Sequence, residues 1–548
     1  MSNLFVRKAT GMVRSWSVFD AFIYAFFSIN FVTLGFYAFS QMYYFGGGMI
    51  NALIVSAVFL VFEIIVYASL ISVMPRSGGD YVWMTRIFGG GVGFILAITG
   101  WWFTLWLWTP VYGDMFRQVV LVPIMGVLGM KDAAVWFAGT GTPLFVSSLI
   151  TLGFVSLVIF LGMKTYARIQ KFSFYAGGLG LLIVIVLLFT GTPEKFKAGF
   201  ESNAAAIFGS QAGVYDATVQ TGTDAGASTP LSGGSISLIF VTLPWLVFFN
   251  LWPNWGATLY GEVRGATDYK RNFSGMAWAL GSVTVLGILF FTGVAKTIGW
   301  DFYMQANGSW WNYYWGYVTD VPPLPVWPYP AMLATFLTNS RVLQLIVMVL
   351  MSFWWFGWAG TLFLSSTRVV FAAAFDRLLP EKVAELNDRG TPVNAMLLMV
   401  IPAVIVSYMY AYNVGGFISI TLAATQAIAI MYFGTAIAAI VLPYKKKELF
   451  EASPIAQMKV FGIPLITVAG VIFASFLGFL LVEWFFDPWL NTGGEGAGLY
   501  GISFKNTNSI VFLLVCYGLS AAIYFGFKSY RKKGGIDMDK VQTEIPVE

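Results

Sequence analysis

Apolar runs long enough to cross a bilayer recur along the chain with short polar segments between them. Their spacing predicts helices near 17 to 44, 50 to 73, 92 to 122, 143 to 163, 173 to 190, 236 to 260, 273 to 298, 342 to 366, 393 to 412, 415 to 442, 463 to 486 and 508 to 527. A hydrocarbon core of about 30 Å takes about 20 apolar residues per helix, so the pattern is that of an all-α integral membrane protein with about 12 transmembrane helices. Two of the longer connections differ in character. Residues 191 to 235 are rich in Gly, Ser, Thr and Ala and predict a flexible or loosely ordered loop. Residues 299 to 330 are rich in Trp, Tyr and Pro, which suits the headgroup layer or a cover over an outer vestibule.

Composition agrees with that pattern: 58% of the 548 residues are hydrophobic and 10% charged, against roughly 25% charged in soluble domains. The apolar run after Arg7, Lys8 and Arg14 is too long for a signal-peptide core and reads as a retained first helix. There is no histidine, and the single cysteine, Cys516, lies in an apolar run. Histidine haem ligation, the common zinc sites and a disulfide framework are thereby excluded. No metal-ligand cluster and no nucleophile with its base emerge, which argues against an enzyme, a cofactor or a bound metal. The net charge of +5 is not a nucleic-acid signal, because the basic residues lie in the loops.

Those basic residues set the orientation. The segments 1 to 16, 74 to 90, 164 to 171, 264 to 271, 368 to 389, 445 to 459 and 528 to 540 hold 24 of the 31 Lys and Arg residues. The positive-inside rule places these loops, both termini and a tail from 528 to 548 in the cytoplasm of a cell membrane. Lys445, Lys446 and Lys447 read as an orientation signal or a contact with anionic lipid.

The first and sixth helices carry interruptions, at Ser28-Ile29-Asn30-Phe31-Val32-Thr33 and at Asn250-Leu251-Trp252-Pro253-Asn254. Proline removes a backbone donor, and Asn and Gly tolerate non-helical backbone. Unwound backbone at membrane depth is tolerable only where it is buried in protein or lines a cavity, and paired breaks in corresponding helices point to a midplane transport site. A broken helix offers free N–H groups and free carbonyls at one point, an arrangement suited to a zwitterion. On this reading a carboxylate sits near Asn30 to Thr33, and an ammonium meets carbonyls near Phe26 to Ile29 and Phe249 to Trp252.

Several loop motifs carry a resemblance. Pro75-Arg76-Ser77-Gly78-Gly79-Asp80-Tyr81 followed by Gly89-Gly90-Gly91, the end of helix 6 at Gly261-Glu262-Val263-Arg264, and the stretch from Ser366 through Asp376-Arg377 and Pro380 to Asp388-Arg389-Gly390-Thr391-Pro392 resemble the amino acid–polyamine–organocation permeases. The resemblance covers both halves of the chain in the right order. It implies a LeuT-like fold of five-plus-five inverted repeats. The first repeat is 1 to 190, an extracellular loop follows at 191 to 235, the second repeat is 236 to 443, helices 11 and 12 lie within 444 to 527, and a cytoplasmic tail ends the chain. It also implies a permease for amino acids or related small amines. The chain departs from the family where many members have Gly-x-Gly in helix 1 and where some carry a coupling lysine in helix 5; here the latter position falls near Gly177, with no lysine beyond Lys171. Helix 8 hydroxyls of sodium-coupled relatives are likewise missing from Phe356 to Gly360. Asp20 stands where the family often has an acidic residue.

With those devices missing, Glu63 in helix 2 is the candidate for proton coupling, the alternative being a packing residue. Asp114 and Arg117, at i and i+3, form either a structural ion pair or part of an outer gate. Trp252 is a candidate substrate contact, and Trp101, Trp102, Trp106 and Trp108 make helix 3 aromatic. Asn307-Gly308-Ser309 matches a glycosylation acceptor. A non-transporting membrane scaffold subunit that keeps a permease fold is the alternative function. In a Cys516→Ala background, cysteines at Ser77, Lys446 and Lys532 should react with an impermeant thiol reagent from the cytoplasmic side only. Reaction from outside at any of them inverts the topology.

Overall fold

Ser17 and Asp20 start the first helix with a reciprocal cap. The Ser17 N–H donates to Asp20 Oδ2 at 2.8 Å, and the Asp20 N–H donates to Ser17 Oγ at 3.2 Å. A computed structural model describes residue 14, residues 16–420, 423–486, 504 and 506–542. Arg7, Lys8 and the end of the tail lie outside the described residues. Among those described, twelve helices are long and apolar enough to cross a membrane. Helices 1 to 6 are Val18–Ser40, Met49–Val73, Gly90–Val127, Thr142–Phe160, Met163–Thr190 and Ile236–Glu262. Helices 7 to 12 are Tyr269–Val294, Arg341–Phe375, Val393–Ala411, Ala423–Lys445, Leu465–Phe486 and Thr507–Lys533. The chain is a multi-pass, all-α membrane protein, with strand pairing among the described residues limited to Lys459–Val460 against Ile463–Pro464 and a bridge at Trp16 and Val263.

Burial sorts the helices. The central stretch of helix 1 is 94% buried, whereas that of helix 12 is 22% buried, so helix 1 is the axis of the bundle and helix 12 a flank. Exposed apolar residues recur at helical spacing on outer helices, as Phe172, Tyr175, Leu179, Leu182 and Val186 do on helix 5. Such stripes are liabilities in water and ordinary against lipid.

The segment from 191 to 235 is not a loose loop, contrary to its composition. It holds two helices, Pro193–Phe208 and Val214–Asp224. Thr192 caps the first through the Lys195 N–H, and the Glu201 carboxylate accepts from the N–H groups of Gly213 and Tyr215 at 3.1 and 2.9 Å. Phe196 and Phe200, four residues apart, are buried against Phe302, which also stacks on Tyr215 at 4.2 Å between centroids. The small residues masked this apolar face. The aromatic stretch contains a further helix, Trp300–Tyr314, that covers the end of helix 1. There the Trp311 indole donates to Ser40 Oγ at 2.9 Å, and the Tyr43 hydroxyl donates to Asn312 Oδ1 at 2.7 Å.

Ser77 is only 4% exposed, so the exposed Lys447 serves the labelling test better than Ser77 does. Helix contacts rest on small residues at a few points. A Cβ on Gly113 of helix 3 would lie 2.7 Å from Ser148 Cα and 2.8 Å from Ser148 N on helix 4, backbone atoms that cannot swing away. Gly113→Val should destabilise the fold by about 1–3 kcal/mol, read as a lower melting temperature in detergent. An unchanged melting temperature means that helices 3 and 4 separate freely there.

Candidate functional site

Both expected interruptions are present. Helix 1 is α-helical over Val18–Ile29, turns at Asn30 with φ 34°, and continues as a π-helical turn over Phe31–Gly35. Asparagine tolerates this left-handed backbone better than other residues with a Cβ. Its side chain also binds both ways: Oδ1 accepts from the Thr33 N–H at 3.0 Å, and Nδ2 donates to the Trp354 carbonyl of helix 8 at 3.2 Å. Helix 6 is helical over Ile236–Asn250, irregular over 251 to 254, and 3₁₀ over Trp255–Glu262. The irregular part is held by the Trp252 indole donating to the Phe248 carbonyl at 2.7 Å and by the Trp255 N–H donating to the Trp252 carbonyl at 3.1 Å.

The two breaks lie side by side. Phe249 packs on Phe31 and Phe39, with ring centroids 6.1 and 5.2 Å apart, and a Cβ on Gly35 would meet the Phe249 ring at 2.9 Å. On the other side of the break, a Cβ on Gly256 would lie 3.1 Å from the Tyr24 ring. One element of the expectation differs. The N–H groups of Asn30 and Thr33 are taken, by the Phe26 carbonyl and by Asn30 Oδ1, because the asparagine caps its own break. A carboxylate would have to displace that side chain to use Thr33.

Most of the candidate residues gather here, all buried. Ser28 donates to the Tyr24 carbonyl at 2.8 Å, and Ile29, Phe31, Val32 and Thr33 are fully enclosed. Asn250 Oδ1 accepts from Ser56 of helix 2 at 3.0 Å, and Asn254 Oδ1 accepts from Tyr432 of helix 10 at 3.1 Å. The Nδ2 of each of these two asparagines has no partner. Pro253 turns the chain between Trp252 and Asn254. Helix 3 divides its aromatic residues by face. Trp101 and Trp108, seven apart, meet Trp255 at 4.4 and 5.9 Å, and Trp108 meets Trp252 edge-on at 5.0 Å. Trp102 turns away and donates to the Leu398 carbonyl of helix 9 at 3.1 Å, with Trp106 beside it.

Glu63 is fully buried, and neither carboxylate oxygen has a hydrogen-bond partner. It shares a buried stripe of helix 2 with Ser56, Leu60 and Tyr67. A second acid, Asp80, was not singled out from the sequence, although it stands within the Gly-Gly-Asp-Tyr motif. It opens the short helix Asp80–Phe88 and is fully buried. Tyr67 and Thr435 donate to its Oδ1 at 2.7 Å each, and Trp101 donates to Oδ2 at 3.0 Å. Among the described residues no Lys or Arg pairs with Asp80. Asp114 and Arg117 do pair on one face, with Arg117 Nε 2.8 Å from Asp114 Oδ1. Tyr37 and Tyr314 donate to Asp114 Oδ2 at 2.8 and 3.1 Å, and Arg117 also donates to the Phe137 and Gly139 carbonyls. The pair thus joins helices 1 and 3 to the covering helix Trp300–Tyr314. Asn307 is buried in that helix, with its amide bonded to Tyr303 and Trp327. A glycan could attach there only after the covering helix had opened.

The basic-loop end is closed by other pairs. Arg86 holds Asp376 through two bonds of 2.5 and 2.9 Å, Tyr81 donates to the same carboxylate at 2.8 Å, and Arg368 holds Glu262 at 2.8 Å. Lys171 lies outside this set, paired with Asp20 at 2.7 Å. Tyr166 and Gln170 of helix 5 both donate to the Gly357 carbonyl of helix 8. Groups of three or more acidic or cysteine residues able to hold a metal do not occur among the described residues.

The profile of the amino acid permease family matches residues 16–497. A branched-chain amino acid permease of Lactococcus lactis subsp. cremoris (strain MG1363), BcaP, is 22% identical over 498 residues, covering 89% of this chain and 88% of that protein. With the match running from the start of helix 1 past helix 11, the chain belongs to the amino acid permease family, within the amino acid–polyamine–organocation superfamily.

Proposed function

We propose that the protein is a secondary active transporter of apolar, branched-chain amino acids, working by alternating access around the paired breaks and coupled to protons through Glu63. The observation that carries this reading is the contact of two interrupted helices, each held by neutral polar side chains and enclosed by aromatic rings. A zwitterion needs no net charge from its site. The carboxylate and ammonium are met by Asn30, Thr33 and the peptide groups around Ser28 to Val32, and by Asn250, Pro253 and Asn254. The apolar side chain lies against Phe31 and Trp252. That the Lactococcus relative is a branched-chain amino acid permease supports the same substrate class.

In this scheme helices 1 to 5 and 6 to 10 form the two inverted repeats. The protein sits in the cell membrane with both termini in the cytoplasm, and Asp114 with Arg117 latches the outer side. Proton coupling falls to Glu63 because it is a buried carboxyl with no fixed partner, so it can gain and lose a proton without breaking an ion pair. Helices 5 and 8 meet instead through the neutral donors Tyr166 and Gln170.

Purified protein should show a rise in melting temperature with leucine, isoleucine or valine that arginine and spermidine do not produce. A rise with the polyamine alone overturns the substrate class. Glu63→Gln keeps the shape of the protonated acid. It should still bind leucine but lose at least tenfold in uptake driven by an imposed pH gradient. Retention of wild-type accumulation makes Glu63 a packing residue.

A further inference from the structure

Glu63 lies fully enclosed, so a proton that it carries needs a route to water. On its own helix, Tyr67 is one turn further on and on the same buried face. From helix 10, Tyr432 packs on Tyr67 with ring centroids 5.5 Å apart and reaches Asn254 of the helix 6 break through its hydroxyl. From the segment between helices 2 and 3, Asp80 receives the Tyr67 hydroxyl at 2.7 Å. From helix 3, Trp101 fixes the other oxygen of Asp80. Thr435 of helix 10 also donates to Asp80 Oδ1 at 2.7 Å, and among the described residues no Lys or Arg bonds to either acid.

We propose that Asp80 is the second proton carrier of the transport cycle, exchanging the proton of Glu63 with the basic-loop side through the hydroxyl of Tyr67.

The step balances without a charged phenol. The proton on Glu63 passes to the phenolic oxygen of Tyr67 while the phenolic proton passes to Asp80 Oδ1. Glu63 is left as the carboxylate and Asp80 as the neutral acid, and Tyr67 is unchanged. Asp80 then gives its proton to water on the basic-loop side. In this structure the first link is open, since Glu63 has no hydrogen bond, while the second is made. A turn of the Glu63 side chain, or one water between the two groups, closes the first.

Three features fit Asp80 to this use. It accepts three side-chain hydrogen bonds from neutral donors, so it is held in place, and among the described residues it has no salt bridge to break when it protonates. Burial pushes its carboxyl above the ordinary value, with the bonds from Thr435, Tyr67 and Trp101 opposing that rise. It also adjoins the closed end: Tyr81, the next residue, and Arg86 on the same short helix both bind Asp376. Opening of that pair therefore brings water to the Asp80 helix. The break and the relay share Tyr432, which ties the proton state to Asn254.

The inference rests on the proton-coupling reading of Glu63, and one set of variants separates the two. Full-length protein in liposomes is assayed with radiolabelled leucine, once for uptake driven by an imposed pH gradient and once for counterflow with no gradient. For Asp80→Asn and, independently, Tyr67→Phe, the ratio of driven uptake to counterflow should fall at least tenfold, and the pH profile of uptake should flatten. Tyr67→Phe keeps the ring, so it carries the test if Asp80→Asn does not fold. If Glu63→Gln loses the gradient drive while both of the others keep it, the relay is wrong and Glu63 coupling stands. If Glu63→Gln keeps it, the coupling reading fails and the relay with it. An equal loss of counterflow and driven uptake in both Asp80→Asn and Tyr67→Phe also overturns the relay, because the residues then act on the fold alone.

Discussion

A peptide group inside a bilayer has no water to bond, so a helix can be interrupted there only if protein takes over the bonds that the helix gives up. Two interruptions in contact raise that demand twice at one place, and the centre of this structure is arranged to meet it. Asn30 supplies both a donor and an acceptor from one side chain, bridging its own following turn and the Trp354 carbonyl. At helix 6 the indole of Trp252 turns back onto the Phe248 carbonyl and gives it a donor where the helix stops. Each repair recruits a further helix: helix 8 through Trp354, helix 2 through Ser56 and helix 10 through Tyr432. The breaks are thus the reason these helices converge.

Charge is treated differently at the two ends and in the middle. At the basic-loop end Arg86–Asp376 and Arg368–Glu262 are buried as complete pairs, and away from it Asp114–Arg117 is too. A buried pair adds little net stability, but removal of one partner costs about 3–5 kcal/mol because the other is stranded. Each of these pairs therefore holds its two elements together for as long as both partners stay buried. The glycine motif serves the same end. Gly78 and Gly79 have φ of 100° and 40°, and the Gly78 N–H donates to the Thr258 carbonyl at 2.8 Å. A Cβ on Gly78 would lie 2.6 Å from that of Ala372, so the loop closes on helices 6 and 8 only because glycine stands there.

The membrane architecture was legible because hydrophobic run length is a local property. Most helix boundaries lie within about four residues of their expected place, although helix 5 starts ten residues earlier, at Met163, and helix 8 runs nine residues further, to Phe375; the Asn30 and Pro253 interruptions could be read from residues whose backbone preferences are intrinsic. The helices within 191 to 235 were not legible, since their stability comes from Phe196, Phe200 and Tyr215 packing on Phe302, a residue about a hundred positions away. Asp80 was hidden for the same kind of reason. Its partners Tyr67, Trp101 and Thr435 come from three helices and have no common spacing. The self-capping of Asn30 was likewise invisible, because the rotamer, not the residue type, decides whether its oxygen faces the Thr33 N–H or a ligand.

The 3₁₀ segment Trp255–Glu262 connects the helix 6 break to the basic-loop end. Its start belongs to the aromatic enclosure, where Trp255 meets Trp101, Trp108 and Trp252 and its indole donates to the Thr361 carbonyl of helix 8 at 2.9 Å. Its middle carries the Thr258 carbonyl that anchors the glycine loop leading to Asp80. Its end is Glu262, whose carboxylate holds Arg368 and whose backbone carbonyl accepts from the Trp16 N–H. A 3₁₀ helix has poorer hydrogen-bond geometry than an α-helix, so its internal bonds resist displacement less. Its ends, by contrast, are fixed to stiff partners. The segment thus joins the aromatic enclosure at Trp255 to the Asp80 loop, through the Thr258 carbonyl, and to the Glu262–Arg368 pair. In that way the uncharged breaks and the buried ion pairs of the basic-loop end share one continuous stretch of backbone.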